Sequence, residues 1–148
     1  MYKRILVAVD GSKLSEKALA SAIPLAKLVR APLVVVHVVE RIEPVLFADG
    51  YTPAEAVWMA KYEKNARRRG SRHLRKAAAA AKSAGVRCTT RLVRSSQPHR
   101  AIIATARSRN CDVIVMASHG RRGLSALILG SETTKVLTHC KRPVLVVR

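Results

Sequence analysis

Residues 112–134 read DVIVMASHGRRGLSALILGSETT. The first six, 112–117, are short and mostly apolar, the pattern of a buried strand. A basic loop follows with glycines at 120, 123 and 130, and Gly130-Ser131 opens a short helical segment over 131–140. Strand, glycine-bearing loop and helix together make the repeating unit of an α/β sheet. Glycine has no Cβ to hold a ligand off, and a helix start offers unbonded amides and a favourable dipole, so this loop can cradle phosphate. On the residues alone it can equally be a flexible connection.

The same alternation runs outward through the chain. Residues 4–9 (RILVAV) predict a fully buried strand closed by the turn Asp10-Gly11-Ser12. Residues 14–30 predict a helix with Leu14, Ala18, Ala22, Leu25 and Val29 on one stripe and a kink at Pro24. Residues 33–39 (LVVVHVV) are a second buried strand, and 40–52, with Pro44, Asp49 and Gly50, a loop. A long helix is expected over 53–84, with Pro53 at its first position and Gly85 as its stop. Met59, Tyr62, Ala66, Gly70, Leu74, Ala77, Ala81 and Ala84 give it an apolar face, which Gly70 weakens at its middle. Residues 86–93 alternate as an edge strand, 98–109 form a helix, and 143–147 (PVLVV) a last strand. The order predicts an open, mainly parallel five-stranded α/β sheet with helices on both faces, Rossmann-like, in one domain over 1–148.

A 49% apolar composition with 3% aromatics predicts a folded, aliphatic core. Twenty-eight Lys and Arg against 9 Asp and Glu give a net charge of +19, which attracts polyanions. Half of residues 61–76 are basic, and Lys61, Lys64, Arg68, Arg72 and Arg75 recur at helical spacing. With few aromatics to stack bases, this stripe reads as a solvated face giving weak, non-specific polyanion binding. No apolar run approaches a membrane span or a signal core. Cys88, Cys111 and Cys140 are odd in number and far apart, as in a reducing compartment, so the cytoplasm is expected.

Standard nucleotide fingerprints are missing: there is no GxxxxGK[ST], and only Gly11 follows the first strand. Asp10 reads equally as a turn or capping residue and as a catalytic base or metal ligand, His37 as a hydrogen-bonded core histidine, His119 as structural before a phosphate contact, and Ser131 as the N-cap of the last helix. Arg121 and Arg122 can add charge to the loop. Glu132 suits a helix start but repels phosphate unless it points away. Ser125 and Ser131 have no evident base, and the remaining histidines lack metal-ligand spacing, so no catalytic residue and no protein metal site is expected.

Four segments, KRILVAVDGS, VVVHV, MASHGRRGLSALILGS and RPVLVV, resemble the universal stress protein family along essentially the whole chain. Nucleotide-binding members carry Gly-x2-Gly-x9-Gly-[Ser/Thr]. Here Gly120, Gly130 and Ser131 match at the right spacing, and Ala117 replaces the first glycine. Ser96, before Gln97-Pro98-His99, stands where a glycine is common. The resemblance implies strand order 3-2-1-4-5, a homodimer through the C-terminal strand, and ATP, with or without Mg2+, as ligand of a regulatory or stress-response protein. It marks Ala8 and Val9 for adenine or ribose, the Val38 backbone for adenine, Asp10 for ribose and phosphates, and Met116, Ala117, Gly120, Gly130, Ser131 and Glu132 for the phosphate and ribose loop. Slow ATP hydrolysis is compatible with it. The alternatives are a nucleotide-free dimeric adaptor and a basic nucleic-acid-binding protein.

Overall fold

A strand residue that points to one face of a sheet is followed by one that points to the other, so a strand apolar at every position needs cover on both sides. A computed structural model, which describes residues 1–41, 52–120 and 129–148, shows how that cover is provided. The elements are β1 (Ile5–Ala8), α1 (Lys13–Leu28), β2 (Leu33–Glu40), α2 (Pro53–Ser83), β3 (Cys88–Ser95), α3 (Pro98–Ser108), β4 (Val113–Ala117), α4 (Ser131–His139) and β5 (Val144–Val147). The strands form one sheet in the order β3-β2-β1-β4-β5, and every pairing is parallel.

On one face Ile5, Val7, Leu33, Val35, Val113 and Val115 pack against Ala18, Ala22 and Ala26 of α1 and Leu74, Ala77 and Ala81 of α2. On the other, Leu6, Val34, Val36, Ile114 and Met116 meet Ile102 and Ala106 of α3 and Val136 of α4. Alanine at the helix contacts lets α1 and α2 lie close to the sheet. β3 and β5 are edges: half or more of their residues are partly exposed, including Leu145 at 43%.

Several details depart from the pattern in the sequence. β3 begins at Cys88 rather than 86 and runs on to Ser95. The buried stripe of α1 is Ser15, Ala18, Leu19, Ala22 and Ala26, with Leu14, Leu25 and Val29 only half-buried beside it. The helix continues through Pro24, whose ring lies on the exposed side. Of the apolar face of α2, Gly70, Leu74, Ala77 and Ala81 are buried, whereas Met59, Tyr62, Ala66 and Ala84 are half-buried. Ala84 caps α2, and Gly85 follows it at φ +73°, the left-handed position that glycine suits.

All three cysteines are free thiols. Cys111 is buried, and burial pushes its thiol up to about 11, while Cys140 is only half-buried. No helix among the described residues is long and apolar enough to cross a membrane. The loop residues Pro44, Asp49 and Gly50, and Arg121, Arg122, Gly123 and Ser125, lie outside the described residues.

Candidate functional site

β1 lies between β2 and β4, so the chain leaves β1 toward one edge and later returns to its other side at β4. Loops from the two strands part there and leave a crevice beyond their carboxyl ends. A cleft of about 710 Å³ occupies this place. It is lined by Ala8 at the end of β1, Val9 and Asp10 after it, Val38 of β2, Met116 and Ala117 of β4, Gly120, and Gly130, Ser131 and Glu132 at the start of α4. Thus all ten positions singled out in the sequence meet in one space, although the chain separates the first from the last by more than 120 residues.

The turn after β1 is held from within. The Asp10 carboxylate accepts the Ser12 amide at 2.9 Å, the Ser12 hydroxyl accepts the Ser15 amide at 3.1 Å, and Ser12 is the N-cap of α1. Asp10 is therefore a turn residue and a wall of the cleft at once. Gly11 adopts φ +83°, and a Cβ there would overlap the His73 ring of α2 at 2.3 Å. His37 is buried, with Nδ1 2.8 Å from the Val9 carbonyl, as a core histidine should be.

The second wall depends on two close approaches. A Cβ on Gly120 would come 2.7 Å from Asp10 Oδ2, so glycine lets the main chain rest against that carboxylate. A Cβ on Gly130 would lie 2.9 Å from His119 Cα, and the Gly130 amide donates to the Ser118 carbonyl at 2.7 Å. Gly130 has φ −61°, so its need is steric and not conformational. Gly130, not Ser131, is the N-cap of α4, and neither residue supplies a capping side chain. The Ser131 hydroxyl is thereby not committed to its own helix. Ala117 ends β4 buried, in strand conformation, so its methyl replaces the motif's first glycine without backbone strain. His119 holds Ser118 Oγ at 3.2 Å from Nδ1 and also lines the cleft.

Glu132 resolves the conflict its charge raised. Oε2 accepts the His99 amide at 2.8 Å and lies 3.0 Å from His99 Nδ1, while Oε1 accepts Lys135 Nζ at 2.8 Å. It therefore caps α3, whose own N-cap Gln97 offers no side-chain bond, and its charge is met by Lys135. Burial pushes this carboxyl up, but the bonds from Lys135 and His99 outweigh it and hold the group below its ordinary 4.5.

Several lining residues carry no motif in the sequence. Thr133 donates to the Ala117 carbonyl at 2.9 Å and ties α4 to the end of β4. Tyr62, Ala66 and Arg69 reach the cleft from α2, and Lys135 from α4. Helical spacing places Tyr62 and Ala66 on one face, but nothing local aims that face at strand ends. Ser96 also lines the cleft.

An open parallel sheet wound in both directions, with a ligand-sized cleft where the winding reverses, places the molecule among the doubly wound, Rossmann-like α/β proteins. The profile described as "Universal stress protein family" matches residues 1–148, and the chain belongs to that family. It is 32% identical over 149 residues to universal stress protein YxiE of Bacillus subtilis, with all of both chains covered. It is similar to the crystal structure of a universal stress protein family member from Burkholderia pseudomallei, at 32% identity and TM-score 0.73 over 98% of this chain and 95% of that one. It is also similar to a universal stress protein crystallised in complex with cAMP, at 26% identity and TM-score 0.66 over 99% and 97% of the two chains.

Proposed function

We propose that this chain binds an adenine nucleotide, ATP foremost, in the cleft between β1 and β4, and acts as a nucleotide-dependent regulator in a stress response. The observation that carries this reading is the meeting of the Asp10 turn with the Gly120 and Gly130 approaches in one cleft of about 710 Å³. The cAMP complex of a relative supports it. Ala8, Val9 and Val38 would face adenine or ribose. Asp10 would serve the ribose and phosphates, and Met116, Ala117, Gly120, Gly130, Ser131 and Glu132 the phosphate loop. Amides at residues 131–133 have no acceptor within α4, and the Lys135 and Arg69 side chains line the same cleft.

Mg2+ binds through one or two carboxylates plus the phosphates it accompanies. Asp10, a carboxylate in the wall of the cleft, would supply such a ligand. The ion would neutralise phosphate charge beside that carboxylate. The role requires no fast turnover, and slow hydrolysis is compatible with it. We further read the protein as one domain working in the cytoplasm as a homodimer through β5. That edge offers backbone donors and acceptors and exposes Leu145.

Calorimetry with ATP, AMP and cAMP tests the reading, with micromolar binding expected for at least one of them. Gly130→Val keeps an allowed backbone but drives a side chain into His119, so ATP affinity should fall at least tenfold. Its circular dichroism should match the parent's. No heat at millimolar nucleotide would leave the dimeric-adaptor reading in place.

A further inference from the structure

Helix α2 has an outward face that the cleft does not use. Lys64, Arg67, Arg68, Arg72 and Arg75, with Ser71, line a groove of about 410 Å³ along it, and Lys61 continues the row by nearly one turn. The helix contains two carboxylates, and both are engaged elsewhere. Glu55 closes a capping box with Thr52, and Glu63 turns inward to Arg94 of β3 at 3.1 Å. Among the described residues no carboxylate forms an ion pair with any cation of the row. Such a row repels itself until a polyanion lies on it.

At the N-terminal end of this helix Trp58 is 58% exposed and stacks on Tyr62, with ring centroids 5.5 Å apart and planes 24° apart. Few as the aromatics are, half-buried Tyr62 backs an exposed Trp58, and Lys61 lies one turn from Trp58. Cations at one per turn recur every ~5.4 Å along the axis. A row of cations with no ion pair among the described residues, ending in an exposed ring, suits a nucleic-acid strand whose bases are free to stack. We propose that the outward face of α2 binds single-stranded nucleic acid, with the phosphates along Lys61–Arg75 and a base on Trp58.

A duplex keeps its base faces inside the stack and would leave Trp58 unused. A membrane surface calls for an apolar stripe beside the basic one, and outward positions 61–76 are basic or polar. Neither Trp58 nor the cations of the row line the cleft, and the two surfaces meet only at Tyr62, which stacks on Trp58 and lines the cleft as well.

The probe is a fluorescein-labelled oligouridylate of about 20 nucleotides, longer than the ~4–16 covered by one binding module. Uracil avoids the cleft assigned to adenine. Anisotropy at about 0.15 M salt should show binding, and log K against log salt should fall with a slope near −3.5, about 0.7 for each of five phosphates. Trp58 is the sole tryptophan, so its fluorescence should be quenched on binding. Trp58→Ala should weaken binding by roughly fivefold to a hundredfold, and Trp58→Phe should restore most of it. Changing Lys61, Lys64, Arg68, Arg72 and Arg75 to Gln should flatten the slope toward zero and leave ATP heats unchanged. If that variant does not fold by circular dichroism, the Trp58 pair decides. The proposal is overturned if binding vanishes at this salt, or if inorganic polyphosphate competes equally while Trp58 stays unquenched. Equal affinity for a duplex, or preference for phosphatidylserine vesicles, overturns it as well.

Discussion

The two halves of α2 are one continuous helix with opposite surroundings. From Gly70 to Ala81 it buries Gly70, Leu74, Ala77 and Ala81 under β2 and β3, whereas Pro53 to Arg69 contains no buried residue. Length explains the difference. Thirty-one helical residues span about 46 Å at 1.5 Å each, while the eight residues of β2 or β3 span about 26 Å. In a parallel sheet the connecting helix runs back against the strands, so its first half overshoots their carboxyl ends. The overshoot carries Tyr62, Ala66 and Arg69 to the cleft and holds Trp58 out in solvent. One half thus serves stability, and the other is available for recognition.

The largest test of that division is Leu74→Ala. Removing a buried leucine leaves a cavity and should cost about 2–4 kcal/mol in chemical denaturation. Trp58→Ala should stay within about 0.5 kcal/mol of the parent. Equal losses would mean that the projecting half is packed as well.

A smaller effect, with its sign at issue, is expected at Gly70, where the sequence suggested only a weakened helix. Alanine would gain about 1 kcal/mol of helix propensity. Its Cβ would sit 2.6 Å from His37 Cδ2 and 2.7 Å from Leu92 Cδ1, an overlap that costs typically 1–3 kcal/mol. We expect a net loss of about 1 kcal/mol, since buried His37 is also held by the Val9 carbonyl. A more stable Gly70→Ala protein would show that the contact yields.

The smallest effects belong to the projecting half. The Thr52 amide, then its hydroxyl, hold the Glu55 carboxyl below its ordinary 4.5. A carboxyl depressed in the folded state contributes fully above its unfolded value and loses that contribution as pH falls through the folded one. Acidification below 4.5 should therefore speed hydrogen exchange in the first turn of α2, after correction for intrinsic rates, and leave the amides around Leu74 protected. Thr52→Ala should produce the same local fraying at neutral pH, worth about 1 kcal/mol within that helix end.

Much of this architecture is legible in the chain itself. The runs at 4–9, 33–39 and 112–117 are apolar at nearly every position because each strand is covered on both faces, and the alternation at 86–93 matches an edge. The spacing from Gly120 to Gly130-Ser131 located one wall of the cleft, and Asp10 the other. What it missed came from contacts rather than periods. Ser131 looked like a cap because serine commonly is one, yet the non-helical turn falls on Gly130, which is pressed against His119.

The sequence alone determined the kinds of element, their order and the sidedness of the core, since periods of two and of 3.6 act between near neighbours. Only the tertiary structure decided that Glu132 caps α3 through His99, that Gly11 lies on His73, and that α2 overruns the sheet to bring Tyr62 and Arg69 to the cleft. Those outcomes depend on where each helix axis settles on the sheet. That position is set by the summed packing of small alanines and branched strand residues, which no local pattern records.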